Sequence, residues 1–72
     1  MCYDYSKLLG KIVEIFGSQI KFATAMKWSE RTLSLKLNNK VSWKQPEIDT
    51  ACTLLEIPND EIVVYFFTKK VQ

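Results

Sequence analysis

The chain has 72 residues, of which 47% are hydrophobic and 25% charged, and its formal net charge is +2. These fractions are those of an ordinary globular chain, and the length allows one domain, residues 1–72, so disorder and a second domain are excluded. The chain has no histidine and only Cys2 and Cys52 as thiols, so it lacks the usual general base and the ligands of a Cys/His zinc site. We therefore expect a binding module without metal or cofactor rather than an enzyme.

The chain carries no sequence signal for a membrane span or for export. Its longest uninterrupted apolar run, residues 62–67, has six residues, whereas a helix that crosses a bilayer needs about 20. Cys2, Tyr3 and Asp4 follow Met1 in place of the basic and apolar stretches of a signal peptide. We expect a cytoplasmic protein with reduced thiols.

Apolar residues recur at helical spacing along most of the chain. The first helix presents Leu8 and Ile12 on one face, and Gly17 ends it. A second helix follows Ser18 as N-cap and a third follows Ser29, each about two turns long. Two such short helices joined by about three residues must cross steeply, as in a helix-turn-helix unit.

The fourth helix has the clearest apolar stripe. It starts near Gln45 and ends before Pro58, and its apolar residues at i, i+3, i+4 and i+7 are Ile48, Ala51, Cys52 and Leu55. Residues 60–66 predict a short fifth helix, although the β-branched and aromatic residues there also suit a strand. The predicted fold class is all-α, a compact bundle of about five short helices with a central helix-turn-helix.

The net charge hides an asymmetry along the chain. Residues 15–46 carry six basic residues against Glu30 alone, a net charge of +5. Residues 47–72 carry Lys69 and Lys70 against five acidic residues, a net charge of −3. The basic segment is either a solvated face or, if its residues share one face, a surface that attracts phosphates.

Several residues between positions 18 and 39 occur at the spacing of a known DNA-binding motif. Gln19 matches the polar residue that opens its first helix, and Ala23 matches the small residue at the helix crossing. Trp28 matches the apolar residue of the turn. Residues 29–39 read Ser-x-x-Thr-Leu-x-x-Lys-Leu-x-Asn, which is similar to the recognition helix of short phage repressors. This part of the chain resembles the helix-turn-helix of phage Cro and repressor proteins.

The resemblance extends over essentially the whole chain. Trp43, residues 54–57, the opening residues 1–8 and the closing residues 65–67 match a family of very short phage- and prophage-encoded Cro/repressor-like proteins. It implies a lambda-repressor-like fold and a sequence-specific transcriptional regulator that represses by operator occlusion in the bacterial host. One departure is Lys27, at a turn position usually held by glycine, where left-handed backbone costs about 1–2 kcal/mol.

The resemblance implies that the helix of residues 29–38 lies in the major groove of the operator. Its outward side chains would contact base edges: Glu30, Arg31, Ser34, Leu35 and Asn38. Arg31 can donate two hydrogen bonds to guanine, and Glu30 can accept one from cytosine. Alternatively, Glu30 only stabilises the helix dipole and Leu35 is a scattered surface residue. The predicted phosphate contacts are Ser18, Gln19, Ser29, Lys36 and Lys40.

The predicted partner is double-stranded operator DNA. Residues 62–67 are either a homodimer surface that pairs two copies on half-sites or a lid that closes the helical core. Trp28 and Trp43 either stack on bases or pack in the turn and core. The competing function is a protein-interaction module on the same fold, such as an antirepressor. It gains support if the basic residues between positions 21 and 40 do not share one face.

Overall fold

The computed structural model describes residues 2–70, and within them the chain forms five short α-helices. These are α1 (Ser6–Phe16), α2 (Gln19–Ala25), α3 (Glu30–Leu37), α4 (Gln45–Leu55) and α5 (Ile62–Phe66), with a 3₁₀ turn at Asn59–Glu61. The all-α prediction is confirmed, and the strand alternative for the C-terminal apolar run is wrong. None of the helices among residues 2–70 combines the length and hydropathy of a membrane span.

Side-chain caps explain where the central helices begin. The Ser18 hydroxyl accepts the backbone N–H of Lys21 at 3.3 Å, at the start of α2. The Ser29 hydroxyl accepts the backbone N–H of Thr32 at 3.2 Å, at the start of α3. Each bond satisfies a donor that a helix N-terminus leaves free. Pro46 lies in the first turn of α4, where its missing N–H removes no helical hydrogen bond.

The first four helices, α1 to α4, are each followed by a left-handed residue. After α2, the N–H of Lys27 donates to Thr24 at 3.0 Å and the N–H of Trp28 donates to Ala23 at 2.8 Å. This pair of bonds is a Schellman motif, in which the residue after the helix adopts positive φ. The φ angles of the four left-handed residues are 88° at Gly17, 63° at Lys27, 62° at Asn39 and 58° at Glu56. Three of these positions carry a side chain that disfavours the conformation.

Replacement of Lys27 by glycine is expected to stabilise the protein. The left-handed backbone costs a residue with a side chain about 1–2 kcal/mol, and part of that gain is offset by the larger entropy of an unfolded glycine. We expect Lys27→Gly to raise the free energy of unfolding by about 1 kcal/mol, measured by urea titration. The matched control is Gly17→Ala, which places a Cβ in open space at φ 88° and should lower stability. A loss of stability on Lys27→Gly would contradict the strained turn.

The core draws fully buried side chains from all five helices. They are Leu8 and Ile12 of α1, Phe22 of α2, Leu33 of α3, Leu55 of α4 and Phe66 of α5. Although α5 has only five residues, its Phe66 packs edge-on against Trp43, with ring centroids 5.1 Å apart. Phe66 therefore closes the helical core, as the lid alternative predicted, whereas Val63, Val64 and Phe67 of the same run stay exposed.

The two ends of the described chain pair with each other. The N–H of Asp4 donates to the carbonyl of Thr68 at 2.7 Å. On the other side, the Asn39 side chain accepts the N–H of Tyr3 and donates to its carbonyl, each at 2.9 Å. The Tyr3 ring then meets Phe67 edge-on, with centroids 5.7 Å apart. The N-terminal segment thus joins the end of α3 to the end of α5.

Candidate functional site

The outward face of α3 holds four of the five predicted base-contacting residues together. Glu30 and Arg31 are exposed, whereas Ser34 and Leu35 are half-buried. They surround a shallow depression of about 340 Å³. Asn38 is exposed, but its amide nitrogen donates to the Ser34 carbonyl at 2.8 Å. The amide is therefore already engaged within its own helix.

The predicted phosphate contacts do not form one basic surface. Ser18 and Ser29 use their hydroxyl oxygens as helix caps. Gln19 lines a cleft of about 290 Å³ between the N-terminal segment and the end of α3. Lys40 is exposed in the loop that follows α3. The structure thus disperses these residues among caps, a cleft and a loop.

The predicted phosphate contact of Lys36 is the one that the structure contradicts most clearly, because only 3% of this residue's surface is exposed. Its Nζ donates to the Ser42 carbonyl and to Glu47 Oε1, each at 2.9 Å. The same nitrogen lies 5.1 Å from the centroid of the Trp28 ring, a cation–π contact. An ammonium group already paired inside the protein cannot reach a phosphate, so the assignment of Lys36 to phosphate is wrong. The basic residues between positions 21 and 40 accordingly do not all lie on the surface, since Lys36 is buried whereas the other four are exposed: Lys21, Lys27, Arg31 and Lys40.

Glu47 is the partner that makes the burial of Lys36 tolerable. Its Oε1 also accepts the backbone N–H of Lys44 at 2.9 Å, which caps α4. Desolvation alone would raise the pKa of Glu47. The hydrogen bonds from Lys44 and Lys36 and the attraction of both cations outweigh it, so the pKa falls below its ordinary 4.5. Glu47 is therefore a carboxylate at neutral pH.

A second surface lies between α4 and α5, and we call it the α4–α5 groove. It has a volume of about 280 Å³ and is lined by Trp43, Gln45, Ile48, Asp49, Ile62 and Phe67. Phe67 is 42% exposed, a large fraction for a phenylalanine. Asp49 is exposed as well, so a carboxylate stands in an otherwise mainly apolar groove. The aromatic pair Trp43 and Phe67 supplies flat apolar surface to whatever enters it.

The segment that carries this groove is acidic. Residues 43–67, which include the whole lining, contain five carboxylates and one basic residue, Lys44. Within residues 2–70, Glu47 is the one of the five carboxylates that forms an ion pair. The other four are exposed and lack an ion-pair partner in the described chain: Asp49, Glu56, Asp60 and Glu61. Of these four, Asp49 lines the groove, so it contributes to that surface a carboxylate without an ion-pair partner among the described residues.

Sequence reasoning missed the α4–α5 groove as a site. The signal is the net charge of −3 over residues 47–72, from which we predicted no site. The groove itself could not be predicted, because it needs the docking of α5 against α4 and the loop before it. Among residues 2–70, no group of three potential metal ligands comes together.

Comparison with solved structures shows a phage regulator with the same fold. The solution structure of the modulator of repression of the temperate bacteriophage TP901-1 from Lactococcus lactis is 57% identical in sequence, with a TM-score of 0.83. The alignment covers 100% of this chain and 97% of that chain. Among curated proteins, none matches the chain significantly.

This likeness overturns the predicted function and partner. A relative so similar over its full length is a modulator of repression, which supports an antirepressor-like protein-interaction module. The prediction of a Cro-type repressor that occludes its operator is therefore wrong, as is operator DNA as the direct partner. The homodimer through residues 62–67 was predicted to serve operator half-sites, so it loses its basis too. The base and phosphate roles of the α3 residues depended on the same interpretation.

The family assignment covers nearly the whole chain. The sequence profile of one protein family matches residues 1–69. Its description is "Protein of unknown function (DUF739)". Together with the phage relative, the match confirms the coarser prediction of a phage protein family, whereas the Cro/repressor identity is not confirmed. The chain therefore belongs to the DUF739 family.

Proposed function

We propose that the chain is a modulator of repression that binds a repressor protein. The observation that carries this proposal is the 57% identity to the modulator of phage TP901-1 over the full length of this chain. The protein would act by binding alone, without a catalytic step or cofactor. It would work in the bacterial cytoplasm, where a repressor meets its operator.

The distribution of charge supports a protein partner. Burial of Lys36 against Glu47 takes one cation out of the basic segment and into the interior. The acidic α4–α5 groove lies on a different part of the surface from the outward face of α3. A repressor must carry a positively charged surface in order to bind DNA. Opposite potentials on the two proteins would steer their association.

We assign the repressor to the α4–α5 groove on the grounds of its shape and charge. The groove combines exposed aromatic surface from Phe67 with the unpaired carboxylate of Asp49. Aromatic anchors in a concave site surrounded by charge are typical of interface hot spots. A basic surface of the repressor that occupied this groove would no longer be free for its operator, which would give a direct route to modulation.

Charge reversal at Asp49 tests this assignment. We expect Asp49→Lys to weaken binding of the purified TP901-1 repressor at least about tenfold, because like charges across an interface repel. Isothermal titration calorimetry measures the dissociation constant. The matched control is Glu14→Lys, the same reversal on the exposed outer face of α1, which should leave affinity within about twofold.

The outcomes separate the function from the site. A repressor that fails to bind the unaltered chain contradicts the proposed function itself. A repressor that binds, but is weakened equally by the Asp49 and Glu14 reversals, contradicts the α4–α5 groove as its docking surface.

A further inference from the structure

Trp43 forms one wall of the α4–α5 groove, and no hydrogen bond of its side chain within the described chain fixes the ring there. Within residues 2–70, its buried indole N–H has no hydrogen-bond acceptor. The ring packs against two other rings, Trp28 with centroids at 5.4 Å and Phe66 at 5.1 Å. Ring contacts permit sliding and tilting more readily than a hydrogen bond does, because dispersion has little directionality. The position of this wall must therefore be set by the backbone on either side of Trp43.

Lys36 fixes that backbone on both sides. Its Nζ donates to the carbonyl of Ser42, the residue before Trp43. It also donates to Glu47, whose Oε1 accepts the N–H of Lys44, the residue after Trp43. One buried ammonium group thus ties α3 to the loop of residues 38–44 and to the first turn of α4. Its contact with the Trp28 ring places the cation beside the same aromatic stack.

We propose that Lys36 is a positioning residue for partner binding: its buried ammonium holds the loop of residues 38–44 so that Trp43 forms the wall of the α4–α5 groove. The inference rests on the proposed function, since it assumes that the groove receives the repressor. It assigns to Lys36 a role in recognition although the side chain itself is closed to any partner.

Two roles of the Lys36–Glu47 ion pair can be distinguished: it positions the loop of residues 38–44, or it only stabilises the fold. Apolar side chains of similar volume often replace a buried ion pair without loss of stability. What they cannot replace are the directed bonds to Ser42 and Glu47. An apolar substitution at Lys36 alone leaves Glu47 without its cation, but this carboxylate is 24% exposed and still accepts the N–H of Lys44. We therefore expect the core to stay folded while the loop is released.

The test uses Lys36→Met in the full chain, at a temperature where all variants are folded. Glu47 stays hydrated in this variant, because its side chain is 24% exposed, and it can still cap Lys44. We expect the indole ¹H–¹⁵N resonance of Trp43 to shift and broaden, and affinity for the purified TP901-1 repressor to fall about tenfold. The matched control is Ile12→Val, a small truncation in the core under α1, which should change neither readout.

Each outcome decides a separate point. An unchanged Trp43 resonance with unchanged affinity in Lys36→Met overturns the positioning role. If the single variant fails to fold, the double variant Lys36→Met/Glu47→Gln leaves no unpaired charge, keeps an acceptor for the N–H of Lys44, and is measured in the same way, with the same expected result. If the repressor does not bind the unaltered chain, the proposed function fails, while the Trp43 resonance still decides whether Lys36 sets the wall.

Discussion

Phe66→Ala is expected to lower the free energy of unfolding by about 3–5 kcal/mol, the usual cost of removing a buried phenylalanine ring. The side chain is 1% exposed and packs on Trp43, so its removal opens a cavity between α5 and the rest of the core. A chain of this length has a total stability of roughly 4–11 kcal/mol. We therefore expect the variant to lose a large share of its total stability, measured by urea titration of the helical circular dichroism signal.

The neighbouring Phe67 provides the control. It has the same side chain, but it is 42% exposed and touches Tyr3 only edge-on. We expect Phe67→Ala to cost about 1 kcal/mol, since little apolar surface is returned to water. Equal costs for the two substitutions would contradict the orientation of α5, in which Phe66 faces the core and Phe67 faces the groove.

Glu47→Ala is expected to cost about 3 kcal/mol, because it leaves the ammonium of Lys36 buried without a counter-charge. This loss of stability is at the lower end of the range for a broken buried ion pair, since the Glu47 side chain is 24% exposed and the pair is only partly removed from water. The N–H of Lys44 also loses its capping acceptor. Glu47→Gln retains a hydrogen-bond acceptor at both sites and should cost less. Urea titrations of both variants at pH 7 provide the measurement, and equal stability of Glu47→Ala and the unaltered chain would contradict the account.

The pH dependence of stability gives an independent check on Glu47. Its pKa in the folded protein is lowered from 4.5, so the ion pair stabilises the fold above pH 4.5. The stabilisation is lost as the pH falls below 4.5 and through the folded pKa. Glu47→Gln should remove this part of the acid sensitivity. An acid sensitivity from Asp4 remains, because the hydrogen bonds from Ser6 also lower the pKa of that carboxyl.

The helices could be predicted because their signals are local. Ser18 and Ser29 precede apolar runs, and they cap α2 and α3 as expected. The stripe from Ile48 to Leu55 predicted the buried face of α4. Each of these features depends on residues within two helical turns of one another, which is the range over which caps and periodicity act.

Lys36 could not be placed correctly from such local signals. Its charge favours solvent, and its spacing of three residues from Leu33 favours the core, so the two criteria conflict. The conflict is resolved by Glu47, which lies 11 residues further along and on another helix. Only the packing of α3 against the start of α4 brings the two charges together.

The prediction of DNA binding was wrong because the sequence pattern specifies an architecture and not a partner. The spacing of residues 18–39 specifies a helix-turn-helix, and that architecture serves both DNA binding and protein binding. The folded chain hides Lys36, but five other basic residues of the same segment stay exposed: Lys21, Lys27, Arg31, Lys40 and Lys44. Surface charge alone therefore does not choose between the two kinds of partner, and the similarity to the phage modulator of repression is what favours a protein.

We propose that the chain acts on repression through a repressor protein rather than by occupying the operator. Fluorescence anisotropy of labelled TP901-1 operator DNA distinguishes the two, with the chain added alone and together with the repressor over a series of salt concentrations. We expect no operator-specific binding by the chain alone and a changed apparent affinity of the repressor when the chain is present. Specific binding of the operator by the chain alone, with an affinity that falls steeply as salt rises, would contradict this proposal.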